Sequence, residues 1–430
     1  MIFSISWKNI WRSRLRSIIV MTAVAIGMIG GIFTSAIFKG MSDKRTEEAI
    51  KYEVSHLQIH HSDYFKNEDI NYTIPNTQRI LNEIKAYPEI ESVSNRLEVP
   101  VMIKSSSTGT GVKLVGIDPE HEKGVTSIYE AVYDSADVAR ELNVEKNHIR
   151  KFVQDSCGKY FKENTRYKQI VIGEKLAEQL KVDIKSKVVT NLQTSDGELT
   201  GGVFRVVGIY RITNSQFENS MAFVRKDDLQ ELTGLNEGAA HEIAIRLNND
   251  AQLKPIMKKL KAEFPDVSVM SWKELQPELG MMTEWMNVML YVIMVIILLA
   301  LGFGIVNTML MVVMERVKEL GMLMAIGMNR ARVFSMIMLE TILLSLTGGV
   351  IGMGIAALLI NYFGNAGIDL SLFSKGFEAI GFSSILYPQI GVSFYFTITI
   401  LIILTAILAS IYPALKALKL KPAEALRIEI

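Results

Sequence analysis

The residues whose types and spacing could do chemistry are few. His56, Gln58 and His60 alternate, with His61 beside them. Alternation at period two puts side chains on one face of a strand, and two imidazoles on a face raise the question of zinc. A zinc site needs three or four convergent ligands. The chain offers no others in register, so the stretch reads as a surface strand and no metal is expected. The single cysteine, Cys157, excludes an intrachain disulfide and a two-cysteine metal site. For phosphate chemistry the only Gly-Lys pair, Gly158-Lys159, lacks the upstream glycine and the Ser/Thr of a P-loop. No Ser-His-Asp or Cys-His constellation stands out. Neither catalytic residues nor a cofactor are expected within this chain.

Two polar residues, Glu340 and Asn307, matter because of what surrounds them. Intramembrane acids mark functional sites by default, and Met286–Met314 and 333–359 are apolar runs of membrane-spanning length. Glu340 sits near the start of the second of these, where pairing with Arg332 or Arg330 is the structural reading. Asn307 reads as an interhelical hydrogen-bonding residue. Two further apolar runs complete the set, Ile18–Phe38 and 390–412. The first follows a basic flank but is about 21 residues long, beyond the 7–15 of a signal-peptide core, so it reads as a retained span. Trp7 and Trp11 ahead of it fit an amphipathic helix at the lipid interface.

These runs organise all 430 residues, of which 49% are hydrophobic. The expected layout is an amphipathic segment at 1–16, transmembrane helix 1 at 17–39, an outer domain at 40–280 and transmembrane helix 2 with a stalk at 281–314. A charged segment follows at 315–332, then transmembrane helix 3 at 333–360, a short loop at 361–389, transmembrane helix 4 at 390–412 and a tail at 413–430. From Pro277 to Met314 a continuous helix would measure about 57 Å against a hydrocarbon core of about 30 Å. The excess is expected to project outward. Lys and Arg cluster in the N-terminal flank, the 315–332 segment and the tail, with only Lys375 in the 361–389 loop. By the positive-inside rule both termini and the 315–332 segment face the cytoplasm. The protein is therefore expected as a multi-pass inner (cytoplasmic) membrane protein with its large domain outside, which in a Gram-negative cell means the periplasm. The net charge of +1 gives no case for nucleic acid.

Within 40–280, strand patterns at 55–60, 92–104, 112–117, 187–192, 203–210, 221–224 and 242–247 interleave with helical patterns at 77–87, 173–180, 226–232 and 252–264. No regular β-α-β rhythm appears, which predicts an α+β domain. The charged stretch 124–167 reads as a subdomain insertion. The fold class is thus a membrane protein of four transmembrane α-helices with a large α+β extracytoplasmic domain between spans one and two.

The segment 315–332 mixes charges with apolar Leu320, Leu323, Met324 and Ile326. It suits a partner-binding surface, or an ordinary charged loop that sets topology. Here a family resemblance enters. Glu315-Arg316, Glu319-Leu320-Gly321, Ala325-Ile326-Gly327 and Glu340, with Pro413-Ala414, Pro422 and Glu424-Ala425-Leu426-Arg427 near the end, resemble the FtsX-like ABC transporter permeases. That family includes the lipoprotein-releasing and macrolide-exporting permeases. Val171-Ile172-Gly173 with Leu176-Ala177, and Gly116-Ile117-Asp118, resemble its outer-domain elements. The chain departs from the family at Met324, where an arginine is frequent, and at Asp183–Ser186, where a Gly-Asp turn is frequent.

The resemblance implies an ATPase-coupling segment carried by Glu315, Arg316, Lys318, Glu319, Leu320, Gly321, Leu323, Ala325, Ile326 and Gly327. It implies that ATP and Mg belong to a separate cytoplasmic ABC ATPase, and that a second permease subunit, identical or homologous, completes the transporter. Gly27 and Gly31, and Gly348 and Gly352, each form a G-x-x-x-G for close helix packing or for that dimer. The implied work is mechanotransmission: ATP hydrolysis moves the spans, and the stalk carries the motion to the outer domain. Lipoprotein release is the first expectation for cargo, with a periplasmic lipoprotein chaperone or adaptor as a further partner beside membrane lipids. Efflux of drugs or peptides through an adaptor and outer-membrane channel is the alternative, and a non-transporting regulator of a cell-wall hydrolase a third.

Overall fold

The computed structural model describes residues 2–12, 14–132, 160–162, 165–379 and 381–418. Cys157, Gly158, Lys159, the motif residues Pro422 and Glu424–Arg427, and most of the charged 124–167 stretch lie outside the described residues. The chain forms two compact units, one of residues 44–282 and 371–384, the other of the remaining segments.

Along the chain, an 11-residue helix α1 (Ile2–Arg12) precedes the long α2 (Arg14–Glu48). The α+β unit follows. Its strands are β1 (Leu57–His61), β2 (Ile90–Lys104), β3 (Gly109–Ile117), β4 (Lys168–Gly173), β5 (Lys187–Gln193), β6 (Leu199–Tyr210), β7 (Met221–Arg225), β8 (Glu242–Leu247) and β9 (Val267–Ser271). Helix α3 (Thr77–Ile84) joins β1 to β2, and α4 (Leu253–Glu263) joins β8 to β9. β4 and β9 are strands that the period-two patterns do not single out.

Two sub-folds share strand β2. Its first half pairs with β8, which pairs with β1, which pairs with β9, all antiparallel. With α3 and α4 this is a β-α-β-β-α-β arrangement of interleaved split β-α-β units, the ferredoxin-like pattern. Leu57, Ile59, Ile80, Ile84, Ile243, Ile245, Ile256 and Leu260 fill its core. The second half of β2 pairs with β3 and β5, and the pairings β3–β7, β7–β4, β4–β6 and β6–β5 close a six-stranded barrel. Leu97, Val101, Leu114, Ile172, Phe204 and Val224 line its interior. Everything from β3 to β7 is an insertion between the second and third strands of the ferredoxin-like fold. That is why no rhythm was visible in the sequence.

The other unit is a bundle. The long helices α5 (Pro277–Glu315), α7 (Arg330–Ala366) and α8 (Val392–Leu418) join α2, with a short helix α6 (Val317–Ala325) between α5 and α7. Among the described residues, four helices are long and apolar enough to cross a membrane. They exceed the expected bounds: α7 begins and ends several residues beyond 333–360, and α8 runs through Pro413 to Leu418 instead of stopping at 412. Apolar patterning reports the lipid-facing portion, whereas hydrogen bonding carries a helix on past it. Val24, Met28, Ile32, Leu298, Ile305, Leu344, Ile398 and Ile402 form the bundle core.

Candidate functional site

The charged segment folds as a two-faced helix held by sequence-coded ends. Arg316, at φ −100° and ψ 15°, breaks the run between α5 and α6. Gly327 closes the far end at φ +102°, a conformation that glycine adopts without the Cβ penalty. Asn329 then caps α7, its Oδ1 accepting from the Ala331 N–H at 3.2 Å. Val317, Leu320 and Gly321 are buried. Lys318, Met322 and Ala325 are exposed and spaced to share one face of α6, with exposed Glu315 and Ile326 flanking it. Ile326 is 79% exposed.

This arrangement divides the ten residues expected in the coupling segment. Glu315, Lys318, Ala325 and Ile326 face outward, and Gly327 shapes the turn. Leu320 and Gly321 turn toward the bundle and Leu323 is half-buried, because an amphipathic helix must bury one stripe. Met322, outward at 51% exposure, is the surface residue that the sequence reading missed. Spacing from Lys318 could have found it.

Arg316 and Glu319 serve a different purpose. Arg12 of α1 pairs with Glu319, Arg316 Nε lies 3.3 Å from Glu319 Oε2, and Arg316 Nη1 donates to Glu340 Oε1 at 3.2 Å. Glu340 therefore pairs with Arg316 rather than with Arg330 or Arg332. The latter two are exposed on the first turn of α7, while the break after α5 aims Arg316 inward. A cleft of about 490 Å³ opens among Arg12, Arg316, Glu319, Glu340, Met309 and Met336. Helix α1 is seated by Ser6, whose Oγ donates to the Met336 carbonyl at 3.2 Å, and by buried Ile10. Its Phe3, Trp7 and Trp11 stay exposed on one face. That Arg12 belongs to this site was not legible in the sequence, since the pair closes over 307 positions.

The four glycines pack within the chain. A Cβ on Gly348 would lie 2.6 Å from the Met21 carbonyl oxygen, and one on Gly352 2.7 Å from that of Ala25. Gly27 and Gly31 face Leu301 and Ile297 of α5. Asn307 is exposed and makes no side-chain hydrogen bond among the described residues.

The histidines require a correction. β1 is an interior strand of the sheet, between β8 and β9, and His56 and His60 are buried rather than on a surface. His60 Nδ1 lies 2.9 Å from the His241 carbonyl and its ring stacks on Tyr64, while His56 Nε2 lies 2.8 Å from Asp250 Oδ1. Burial holds His60 at about 4, so the folded domain refuses a proton that the unfolded chain accepts below its ordinary value near 6.5. The associated stability is complete above pH 6.5 and is lost as pH falls from there to about 4, an effect of about 3 kcal/mol. Burial pushes Glu218 up to about 7, which works oppositely by weakening the fold as pH rises from about 4.5 to 7. The expected result is therefore stated as a difference: chemical unfolding followed from pH 7.5 to 4 shows a shallower acid loss for His60→Gln than for wild type. Parallel curves would refute the assignment.

With this geometry in place, comparison with known proteins is decisive. Residues 17–263 match the MacB-like periplasmic core domain, and residues 291–422 match the FtsX-like permease C-terminal family. The chain belongs to the FtsX/MacB-like ABC transporter permeases. This permease is 24% identical to an uncharacterised ABC transporter permease of Methanocaldococcus jannaschii over 100% of its own length and 98% of that protein. It is 22% identical to the lipoprotein-releasing system transmembrane protein LolC of Buchnera aphidicola over 96% of its length and 93% of LolC. It is 26% identical to the macrolide export ATP-binding/permease protein MacB of Bdellovibrio bacteriovorus over 84% of its length but 50% of MacB. The permease is a multi-pass membrane protein with an extracytoplasmic α+β domain between its first and second spans.

Proposed function

We propose that this permease couples ATP hydrolysis on a separate ABC ATPase chain to work done on the outer side of the membrane. The observation that carries the reading is the exposed row along α6 and its end, above all Ile326 and Met322, apolar groups left uncovered at 79% and 51% exposure. Exposed apolar patches rimmed by charge mark protein contacts. Basic residues in the N-terminal flank and the 315–332 segment favour the cytoplasmic side for this face, with both termini there too. Helix α5 is 39 residues long, about 58 Å by its rise, and so supports transmission along a helix longer than the hydrocarbon core. A second permease subunit would complete the transporter.

Met322→Glu/Ile326→Glu places two charges in the proposed contact while leaving the buried stripe of α6 intact. The expected result is loss of co-purifying ATPase by about 100-fold, the effect of removing two contacts of about 1–2 kcal/mol each, with membrane insertion unchanged. Full retention of a stoichiometric ATPase would move the contact elsewhere.

For cargo, release of lipoproteins from the membrane is the favoured reading. The likeness to LolC runs through nearly all of both chains, whereas the likeness to MacB covers half of that protein. ATP-dependent release of a fluorescent triacylated lipoprotein from proteoliposomes tests it. ATP-dependent movement of a macrolide without lipoprotein release would favour the efflux reading instead.

A further inference from the structure

Helix α2 does not run directly into β1. It passes through a six-residue π-helical turn, Ala49–Val54, and then through Ser55 at φ +61° and ψ −169°. π-turns are rare and concentrate at functional positions. The Ser55 conformation is one that glycine adopts freely and other residues hold only when their surroundings impose it. Those surroundings are present. Ser55 is fully buried, its Oγ donates to the Ile245 carbonyl at 2.8 Å, and the next amide, that of His56, donates to the same oxygen at 3.2 Å.

A second observation lies on the same turn. Buried Glu53 accepts two hydrogen bonds from Arg45, Nη1 to Oε1 at 2.8 Å and Nη2 to Oε2 at 3.3 Å. It also accepts one from Gln276 Nε2 at 2.8 Å. Arg45 belongs to α2, and Gln276 immediately precedes Pro277, the first residue of α5. Gly381, in the connection between spans three and four, presses on the same node: a Cβ there would lie 3.0 Å from Arg45 Nε. One carboxylate thus ties the end of the incoming helix to the start of the outgoing one, and the later connection packs against its arginine partner. A cavity of about 560 Å³ opens beside it, leaving room for the node to rearrange. Gln276 Oε1 is buried without a hydrogen-bond partner, so the node is not at its polar optimum in this arrangement.

We propose that Glu53, with Arg45 and Gln276, is a positioning lock on a strained joint. Closed, it fixes β1 relative to the ends of α2 and α5. Opened, it lets the π-turn and Ser55 relax, and displacement of the helices passes into the α+β domain. The idea rests on the coupling reading above for its driving force, but the lock itself is a property of the permease alone.

Hydrogen exchange on the full-length permease in lipid nanodiscs tests both parts, with and without its ATPase and with and without ATP plus vanadate. In the permease alone, Glu53→Gln should speed exchange of amides 49–60 about tenfold through local opening, while the barrel amides of β4–β6 keep wild-type rates. Arg45→Lys, which retains the charge but not the two-point contact, should fall between. With ATPase bound, ATP and vanadate should speed the same amides in wild type. Ser55→Gly, which relieves the backbone without touching the lock, should blunt that response, and it stands in where Glu53→Gln does not fold. Unchanged exchange at 49–60 overturns the lock. Faster exchange spread evenly over the domain overturns it too, since that marks general loss of stability. A wild-type joint insensitive to nucleotide removes it from the transmission path. If no ATPase binds the wild-type permease, the coupling reading fails while the comparison of the permease alone still decides the lock.

Discussion

Arg96→Leu should destabilise the α+β domain by about 3–5 kcal/mol, the cost of leaving buried charge uncompensated. Arg96 lies where β2 passes from the ferredoxin-like sheet to the barrel. Its Nη2 is 2.6 Å from Glu122 Oε1 and its Nη1 2.7 Å from Glu242 Oε1, with all three side chains at most 4% exposed. Glu98, two residues on, accepts from the Tyr64 hydroxyl at 3.0 Å and lies 3.4 Å from Lys113 Nζ. Although burial raises the Glu98 carboxyl, Lys113 and its hydrogen bonds carry it below the usual carboxylate range, while burial pushes Glu242 up. Arg96 therefore answers Glu122 and Glu242 while Lys113 answers Glu98, and the buried network ties β2, β3 and β8 together. Thermal unfolding of the full-length permease should show a separate, strongly lowered transition for this domain. Replacing the triad together, Arg96→Met/Glu122→Leu/Glu242→Leu, should recover much of the loss, as buried ion pairs exchanged for apolar groups commonly do. A single Arg96→Leu variant that melts with wild type would contradict the assignment.

The second large effect is expected in the bundle. Gly352→Leu sets a side chain where the Ala25 carbonyl oxygen would be 2.7 Å and its Cα 2.9 Å from the Cβ. Backbone atoms have no rotamer to escape into, so α2 and α7 must separate. Overpacking commonly costs about 1–3 kcal/mol, and more where nothing can shift. Gly348 meets Met21 in the same way. The expected outcome is loss of a monodisperse, detergent-extracted permease for Gly352→Leu, and partial loss for Gly352→Ala. Gly30→Leu is the contrast, because nothing lies within 4 Å of a Cβ there, and it should extract as wild type. Equal behaviour of Gly352→Leu and Gly30→Leu would show that the close approach is not what holds these helices together.

How much of this was legible beforehand can be argued residue by residue. The uncharged run Met286–Met314 fixed a span because lipid tolerates only long apolar helices. Gly327 was visible only as part of a motif; that it closes α6 at positive φ and that Asn329 caps α7 came from the structure. The family signature residues Glu315 to Gly327 were visible as a string. Their division into an outward row and an inward stripe became clear only once the helix had a bundle to lie against. His60 misled for the complementary reason: alternation reports which residues share a face, not whether another layer covers it.

What the sequence by itself determined is the four apolar spans, the α+β class of the large domain and the location of the charged segment 315–332. Each follows from composition or periodicity within a few tens of residues. Only the tertiary structure decided that β2 is shared by a barrel and a ferredoxin-like sheet, that Arg316 rather than Arg330 or Arg332 answers Glu340, that Arg12 pairs with Glu319 and that Gln276 donates to Glu53. These are contacts closed over 24 to more than 300 positions. Nothing in the local pattern of either partner names the other; packing does.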